Sequence, residues 1–521
     1  MQRLPAAALA ALSVLALLAG CLSDPAPPAD GPVPVVEDGF QPDVVPADSP
    51  APPGCDRARP VVVHKADGMP AASFPGPRPV SCYHDAGTYI TFEPALGVLA
   101  DGTVFIGPGQ EAFSTTAPVG VLRTRDQGAT WELVFPDLAG TPTHRSTLDP
   151  YLFTDPMTDR TWSEDLSPVV TVAVNSWTDD GGETWTNGYA GGMEADHVTV
   201  FTGPPVTSAT SGYPNVVYRC AIAAGATAGF AFAIVCQRSL DGGLTWLPHG
   251  EPAYTFLAGF LGPIAPVDSP VLEPCWSGNG HGASAPDGRI YLPRGHCGQP
   301  WLAWSDDEGL TWERKQLSEL GTTCSPDLCE HDAGFGIDSA GTLYYAWVAM
   351  DRLLYLTRSF DAGATWDTPR MVGLPGLTET SHVQLAAGAD GRIAFVYYGT
   401  KNGPGVPWDE GYEETTWDAY IAVSLDAASA DPTYATVQMN DPADPLVRHQ
   451  CGPLRCDGVY DYIDIRIGPD GAPWVPLVDA CTGPCVTDAG ELNNDGQAAG
   501  GRLWNVDLWG DADPNGPYPN R

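Results

Sequence analysis

This chain predicts an all-β fold, seven four-stranded units closed into a ring by a strand from the N-terminal side. Three observations predict it. A turn motif of aspartate, glycine, threonine and tryptophan recurs at intervals of 54 to 66 residues, the length of four strands with their loops. Glycine (59) and proline (52) together exceed a fifth of the 521 residues while 43% are hydrophobic. Turn formers are therefore dense in a chain that can still build a core, which points to short strands rather than helices. Runs of alternating β-branched and aromatic residues also flank Asp-Gly turns along most of the length.

Charge excludes whole classes of partner. Against 64 Asp and Glu stand 25 Lys and Arg, a formal net charge of −39, and the only lysines are Lys65, Lys315 and Lys401. Nucleic-acid binding needs a basic face that displaces counterions from phosphates, and this chain has none to offer. Docking on anionic lipid by charge is equally disfavoured.

From the N-terminus, residues 1–20 predict a signal peptide: Arg3, then an apolar Ala/Leu run from Leu4 to Ala19, short for a transmembrane helix. Leu18-Ala19-Gly20-Cys21 resembles a bacterial lipobox, which implies lipidation of Cys21. Residues 21–54 form a spacer; 22–54 hold ten prolines, six acids and no Lys or Arg. Such a stretch is extended, at roughly 3.1 Å per residue where polyproline-like. The remaining residues, 55–521, are expected to form one domain. Together these features place the protein as an exported lipoprotein at the outer membrane or cell surface.

Without Cys21, twelve of the thirteen cysteines remain. They fall into near neighbours, Cys55/Cys82, Cys220/Cys236, Cys275/Cys297, Cys324/Cys329, Cys451/Cys456 and Cys481/Cys485, and six local disulfides suit an oxidising compartment. A zinc site from Cys451, Cys456, Cys481 and Cys485 is the rival, although the spacings are not those of zinc knuckles.

The recurring motif has five full copies. They are Thr124, Asp126, Gly128, Thr130, Trp131; Thr178, Asp180, Gly182, Thr184, Trp185; Ser239, Asp241, Gly243, Thr245, Trp246; Ser305, Asp307, Gly309, Thr311, Trp312; and Ser359, Asp361, Gly363, Thr365, Trp366. Ser424-Leu425-Asp426 begins a worn sixth. The carboxylate accepts hydrogen bonds within its own turn, the glycine allows positive φ and the tryptophan buries a large face. Five such matches resemble the Asp-box (BNR) repeat of sialidases, which implies a β-propeller across roughly residues 90–510. The unit reads as strand, Asp-Gly turn, strand, long loop, strand, aspartate turn, strand. Units begin near 93, 147, 196, 281, 332, 382 and 460, so seven blades are expected, with the sialidase number of six as the alternative. The seventh lacks a fourth strand, which Pro60-Val61-Val62-Val63-His64 is expected to supply, leaving no open edge.

In this fold the loops leading into each first strand, and those joining second to third strands, share an upper face around the channel. The Asp-Gly and aspartate turns lie on the lower face and are expected to be structural. Seven of the ten histidines fall one per unit just before a first strand: His84, His144, His197, His281, His331, His382 and His449. Acids accompany them, among them Glu93, Asp149, Asp196, Glu379, Asp461 and Asp464. Imidazoles and carboxylates at one mouth can move protons or hold a cation. The catalytic candidates are therefore Asp149, Asp196, His197, His281, His331, His382, Tyr460 and Asp461. His281, His331 and His382 are the candidate metal ligands. No cofactor is fixed by the sequence; a divalent cation, calcium or a transition metal, is the candidate. Glu491-Leu492-Asn493-Asn494-Asp495-Gly496 is calcium-like in ligand type but lacks the closing acid of an EF-hand loop.

The sialidase resemblance implies three arginines for a sugar carboxylate, a Phe/Tyr-Arg-Ile-Pro motif and a Tyr–Glu pair. That motif and the arginine triad are not found in this sequence; Arg289-Ile290-Tyr291-Leu292-Pro293 departs from it. Arg145 and Arg294 are the candidate substrate-binding cations. Trp408, Tyr412 and Trp417, in the aromatic loop 398–420, are candidates to stack on a sugar. The expected function is action on, or binding of, glycans at a His/Asp-lined mouth, as a glycoside hydrolase or metal-assisted polysaccharide lyase if catalytic. The alternative is a non-catalytic module that binds protein or glycan. Expected partners are a membrane through the lipid anchor and a glycan or surface protein, with the protein itself a monomer.

Overall fold

The computed structural model describes residues 51–111, 119–136, 150–166, 172–191, 194–224, 231–257, 279–296, 298–322, 333–405, 411–449, 459, 461–488 and 496–512. The expected signal peptide, Cys21 and most of the spacer lie outside these residues, as do Cys275, Cys297, Cys324, Cys329, Cys451 and Cys456.

Seven antiparallel sheets make a seven-bladed β-propeller. Blade one is Ala95–Val98, Val104–Gly109, Gly120–Thr124 and Glu132–Val134; blade two is Pro150–Thr154, Thr161–Leu166, Val172–Thr178 and Thr186–Gly191. Blade three is Glu194–Gly203, Val216–Ala224, Ala231–Ser239 and Tyr254–Leu257; blade four is Ala283–Ser284, Ile290–His296, Gln299–Ser305 and Glu313–Gln316. Blade five is Gly334–Ile337, Leu343–Val348, Leu354–Ser359 and Arg370–Met371. Blade six opens with Glu379–Ala387, Ile393–Thr400, Thr416–Ser424 and Thr433–Gln438, and blade seven with Arg466–Ile467, Pro473–Asp479 and Gln497–Trp504. The first strand of each blade touches the first strand of the next, and the seventh touches the first, so these strands form the inner wall.

Closure does come from the N-terminal side, but not from the expected segment. Val80–Ile90 pairs with Gln497–Trp504 as the fourth strand of blade seven, and Cys55–Asp56 adds a short fifth. Val61–Lys65 instead pairs with Thr433–Gln438 at the outer edge of blade six. Its mixture of buried and half-buried residues, with none exposed, suits an outer strand as well as a closing one, so local pattern does not separate the two. At the far end of the closing strand, Ile90 and Gln110 exchange backbone hydrogen bonds of 2.9 and 3.0 Å, tying blade seven to blade one.

The five aspartate turns are near-copies of one another. In each, one carboxylate oxygen accepts the threonine N–H four residues on, at 2.8 to 2.9 Å, and the other accepts that threonine's hydroxyl at 2.6 to 2.7 Å. The worn sixth copy is stapled too: Asp426 accepts from Thr433 N–H at 2.8 Å, seven residues on. Gly128 shows why this position is glycine. Its φ is +87°, and a Cβ there would lie 2.5 Å from the His84 ring of the closing strand.

Disulfides Cys55–Cys82, Cys220–Cys236 and Cys481–Cys485 are formed. The first two join residues directly opposite in neighbouring strands. The third takes two thiols out of the four-cysteine zinc set, which corrects that alternative.

Candidate functional site

The first strands carry the mouth residues, and two of them bend to do so. His197 (φ +50°) lies in an irregularity between Asp196 and Thr199, and His382 (φ +48°) in one between Ser381 and Val383. Glu93, just before blade one, also has positive φ, at +46°. Left-handed backbone outside glycine costs about 1 kcal/mol or more, and bulges of this kind re-aim side chains.

Four blades meet blade seven across the axis. The chain entering blade seven, Asp461-Tyr462-Ile463-Asp464-Ile465-Arg466, is buried throughout. Asp464 Oδ1 lies 3.2 Å from His281 Nδ1 of blade four, and its Oδ2 accepts the Leu96 N–H of blade one at 3.0 Å. Arg466 reaches Asp464 at 3.2 Å, donates to the Tyr151 hydroxyl of blade two at 3.4 Å and lies over the Phe153 ring. Asp461 Oδ2 is 3.7 Å from His197 Nε2 of blade three. Tyr462 packs against both imidazoles, with ring centroids at 6.3 Å from His197 and 5.9 Å from His281, while Tyr151 meets His281 edge-on at 5.0 Å.

Electrostatics keep this cluster charged where burial opposes it. Burial pushes the Asp464 carboxyl up, but Arg466 and His281 beside it hold it below its ordinary range. Burial raises the Tyr151 phenol well above its ordinary value, so it remains a neutral donor. An ionised carboxylate facing Nδ1 favours the imidazole tautomer protonated there, leaving the Nε2 lone pair as acceptor or base. Both His281 nitrogens are buried without a well-aligned hydrogen bond, Nδ1 making only its 3.2 Å approach to Asp464, and Asn279 Oδ1 two residues earlier is likewise without a partner.

A second grouping lies at the joint of blades five and six. Tyr412 donates to Glu379 Oε2 at 3.0 Å, and Arg352 Nη1 donates to the Tyr412 hydroxyl at 2.9 Å and to Glu379 Oε1 at 2.8 Å. Gly405 N–H also donates to Glu379 Oε1, at 3.0 Å. Burial, then the Glu379 charge, raise the Tyr412 phenol, so it is a neutral hydroxyl on a carboxylate. Arg352 has φ +65° in the hairpin turn 349–353, a left-handed position that usually goes to glycine.

The mouth reading thus brings together His197, His281 and Asp461, with Asp464. His382 packs elsewhere, with Nδ1 3.0 Å from Ser381 Oγ and its ring edge-on to Tyr398. Asp196 lies in the strand Glu194–Gly203, but its side chain falls outside the described residues, as do Asp149, His331, Tyr460, Arg145 and Trp408. The metal trio cannot be assembled from what is described: His331 is outside, and among the described residues no three of His, Cys, Asp and Glu are grouped for a metal ion. Glu491 to Asp495 are outside as well. Trp417 is fully buried with its Nε1–H donated to His449 O at 2.9 Å, so its ring is not a sugar platform. Arg294 is also fully buried, 5.5 Å over the Tyr254 ring, and burial lowers its pKa to about 9. It braces the interior instead of facing a ligand.

Tyr151, Tyr462, Asn279 and Arg466 were not among the expected residues. For blade seven a signal was there to read. Alternation in an extended chain sets Tyr462, Asp464 and Arg466 on one side, with Ile463 and Ile465 on the other.

No protein-family profile matches the sequence, and no curated protein matches it. Solved structures do. One is a Hadza microbial sialidase, Hz136, at 16% identity over 60% of this chain and 64% of that chain, with a TM-score of 0.38. Another is a protein of unknown function from Dyadobacter fermentans, at 14% identity over 82% and 99%, with a TM-score of 0.37. A third is the Aleuria aurantia lectin in complex with Fucalpha1-6GlcNAc, at 11% identity over 69% and 99%, with a TM-score of 0.38. This chain spans 64% of the length of the Hadza sialidase chain. At such identities and TM-scores the likeness does not extend to function.

Proposed function

We propose that this protein is a surface-anchored propeller that recognises a glycan at the upper mouth of its channel. The observation that carries the reading is the His281–Asp464 pair. It is an oriented imidazole on the axis, its carboxylate held ionised by Arg466, with the Nε2 acceptor unsatisfied in a mouth walled by Tyr151 and Tyr462. Convergent polar groups between aromatic faces are what sugar recognition requires. The test is retention of the purified protein on a glycan array, competed by the free glycan. Failure of every glycan to retain it would end this reading.

One observation favours a catalytic form over a binding module. Tyr412 donates to Glu379 under Arg352, a tyrosine–glutamate pairing of the kind the sialidase resemblance implies. A hydroxyl on a carboxylate base is a nucleophile arrangement. Release of an aglycone from aryl glycosides should then be lost in Tyr412→Phe while array retention persists. Anchoring rests on Leu18-Ala19-Gly20-Cys21. Cys21→Ser should move the protein from the membrane to the soluble fraction, and unchanged partitioning would remove the anchor from the proposal.

A further inference from the structure

The polar groups of the mouth say which sugars it takes. Two of its buried atoms without a hydrogen-bond partner are acceptors: Asn279 Oδ1, and His281 Nε2 in the tautomer that Asp464, 3.2 Å from Nδ1, favours. Both side chains are more than nine-tenths buried, so an unmade bond at either is costly until a donor arrives. Among the described residues, three arginines of the upper face already have partners. Arg466 is paired with Asp464, Arg352 with Glu379 and Tyr412, and Arg448 donates to Val486 O at 2.6 Å. A carboxylate brought here would meet acceptors and acids in a protein of net charge −39.

We infer that the mouth takes an uncharged polyhydroxyl ligand, a neutral sugar, whose hydroxyls donate to His281 Nε2 and Asn279 Oδ1, and that it turns acidic sugars away. This rests on the glycan reading above and narrows it. Hydroxyls supply donors without a charge to desolvate, so they match this acceptor pair where a carboxylate does not.

The experiment is an array carrying neutral hexose- and fucose-terminated glycans beside sialylated and uronate-terminated ones, probed with the full chain at 0.15 M salt, where surface charge is screened beyond about 8 Å. Neutral glycans should be retained, and acidic ones should bind at least about ten-fold more weakly. His281→Phe keeps a ring between Tyr151 and Tyr462 and removes the acceptor; it should weaken the neutral signal about ten-fold. Asn279→Ala is the second variant, should His281→Phe not fold, and each is checked by its melting curve. Preference for acidic glycans, or unaltered retention by both folded variants, overturns the neutral-sugar inference and leaves the glycan reading standing. Retention of no glycan at all overturns both.

Discussion

At the scale of single residues, two buried acids keep their charge, and a half-buried one holds a proton up to near-neutral pH. Asp464 has Arg466 and His281 beside it, and Glu308 has three backbone N–H groups and the Ser208 hydroxyl. Asp479, at the upper end of blade seven's second strand, has among the described residues only the Cys481 N–H at 3.0 Å. Burial, with Asp444 and Asp85 nearby, raises its pKa from 3.8 to about 7. The folded protein therefore holds a proton there that the unfolded chain releases between those two values. Stability from this group rises as pH falls through that window and is lost above it. Asp479→Asn mimics the protonated form and can still accept from Cys481. It should raise stability by about 1–2 kcal/mol at pH 8, once solvent screening is allowed for, and by little at pH 4. Thermal melts at the two pH values decide it; equal effects at both would mean that the fold does not hold this carboxyl protonated.

At the scale of elements, the aspartate turns and the two N-terminal strands respond to different insults. Each turn is held by bonds no more than four residues apart, which is why all five could be read from the sequence as local chemistry. Asp241→Ala removes acceptors for the Thr245 N–H, the Thr245 hydroxyl and the Ser239 hydroxyl. The turn is largely exposed, so water replaces part of the loss, and about 1–2 kcal/mol of stability should go while array retention per folded molecule is unchanged. A denaturant midpoint that does not move would show the turn to be idle. The N-terminal strands are instead sensitive to acid. His64, bonded to Thr436 and to Lys65 O, and His84, stacked on Trp474, are both buried, and burial lowers each pKa from 6.5 to about 4. Both stay neutral when folded and take a proton when unfolded. Their contribution is complete above pH 6.5 and is lost as pH falls toward 4. His84 lies on the strand that closes the ring and His64 on the outer edge of blade six, so acid should loosen these two N-terminal strands first. His84→Asn should shrink the fall in melting temperature between pH 7 and pH 5.

For the whole molecule, what could be read in the sequence divides by the distance over which partners meet. Blade number, blade boundaries and the lower-face turns follow from patterns confined to one repeat. The mouth depends on chain segments that are remote: Asp464 meets Leu96 across 368 residues and Arg466 meets Tyr151 across 315. No periodicity encodes such pairings, so the histidines and acids could be placed at the mouth but not matched, and Trp417 looked open because its loop is polar. Closure failed for the same reason. Val61–Lys65 and Val80–Ile90 are both plausible strands, and only the three-dimensional ring assigns the first to the edge of blade six and the second to blade seven. That assignment makes two truncations unequal. Removing residues 51–78, with Cys82→Ser, takes away two edge strands, Cys55–Asp56 and Val61–Lys65, and one disulfide but leaves Val80–Ile90 between Gln497–Trp504 and solvent. A disulfide closing a loop of this size contributes about 3 kcal/mol, so the melting temperature should fall while the transition stays cooperative. Removing residues 51–92 exposes the whole edge of Gln497–Trp504 and cuts the Ile90–Gln110 tie to blade one. A ring with an open edge is a template for pairing with other chains. That protein should lose its cooperative transition and aggregate. If both truncations melt alike, the ring is closed by something other than Val80–Ile90.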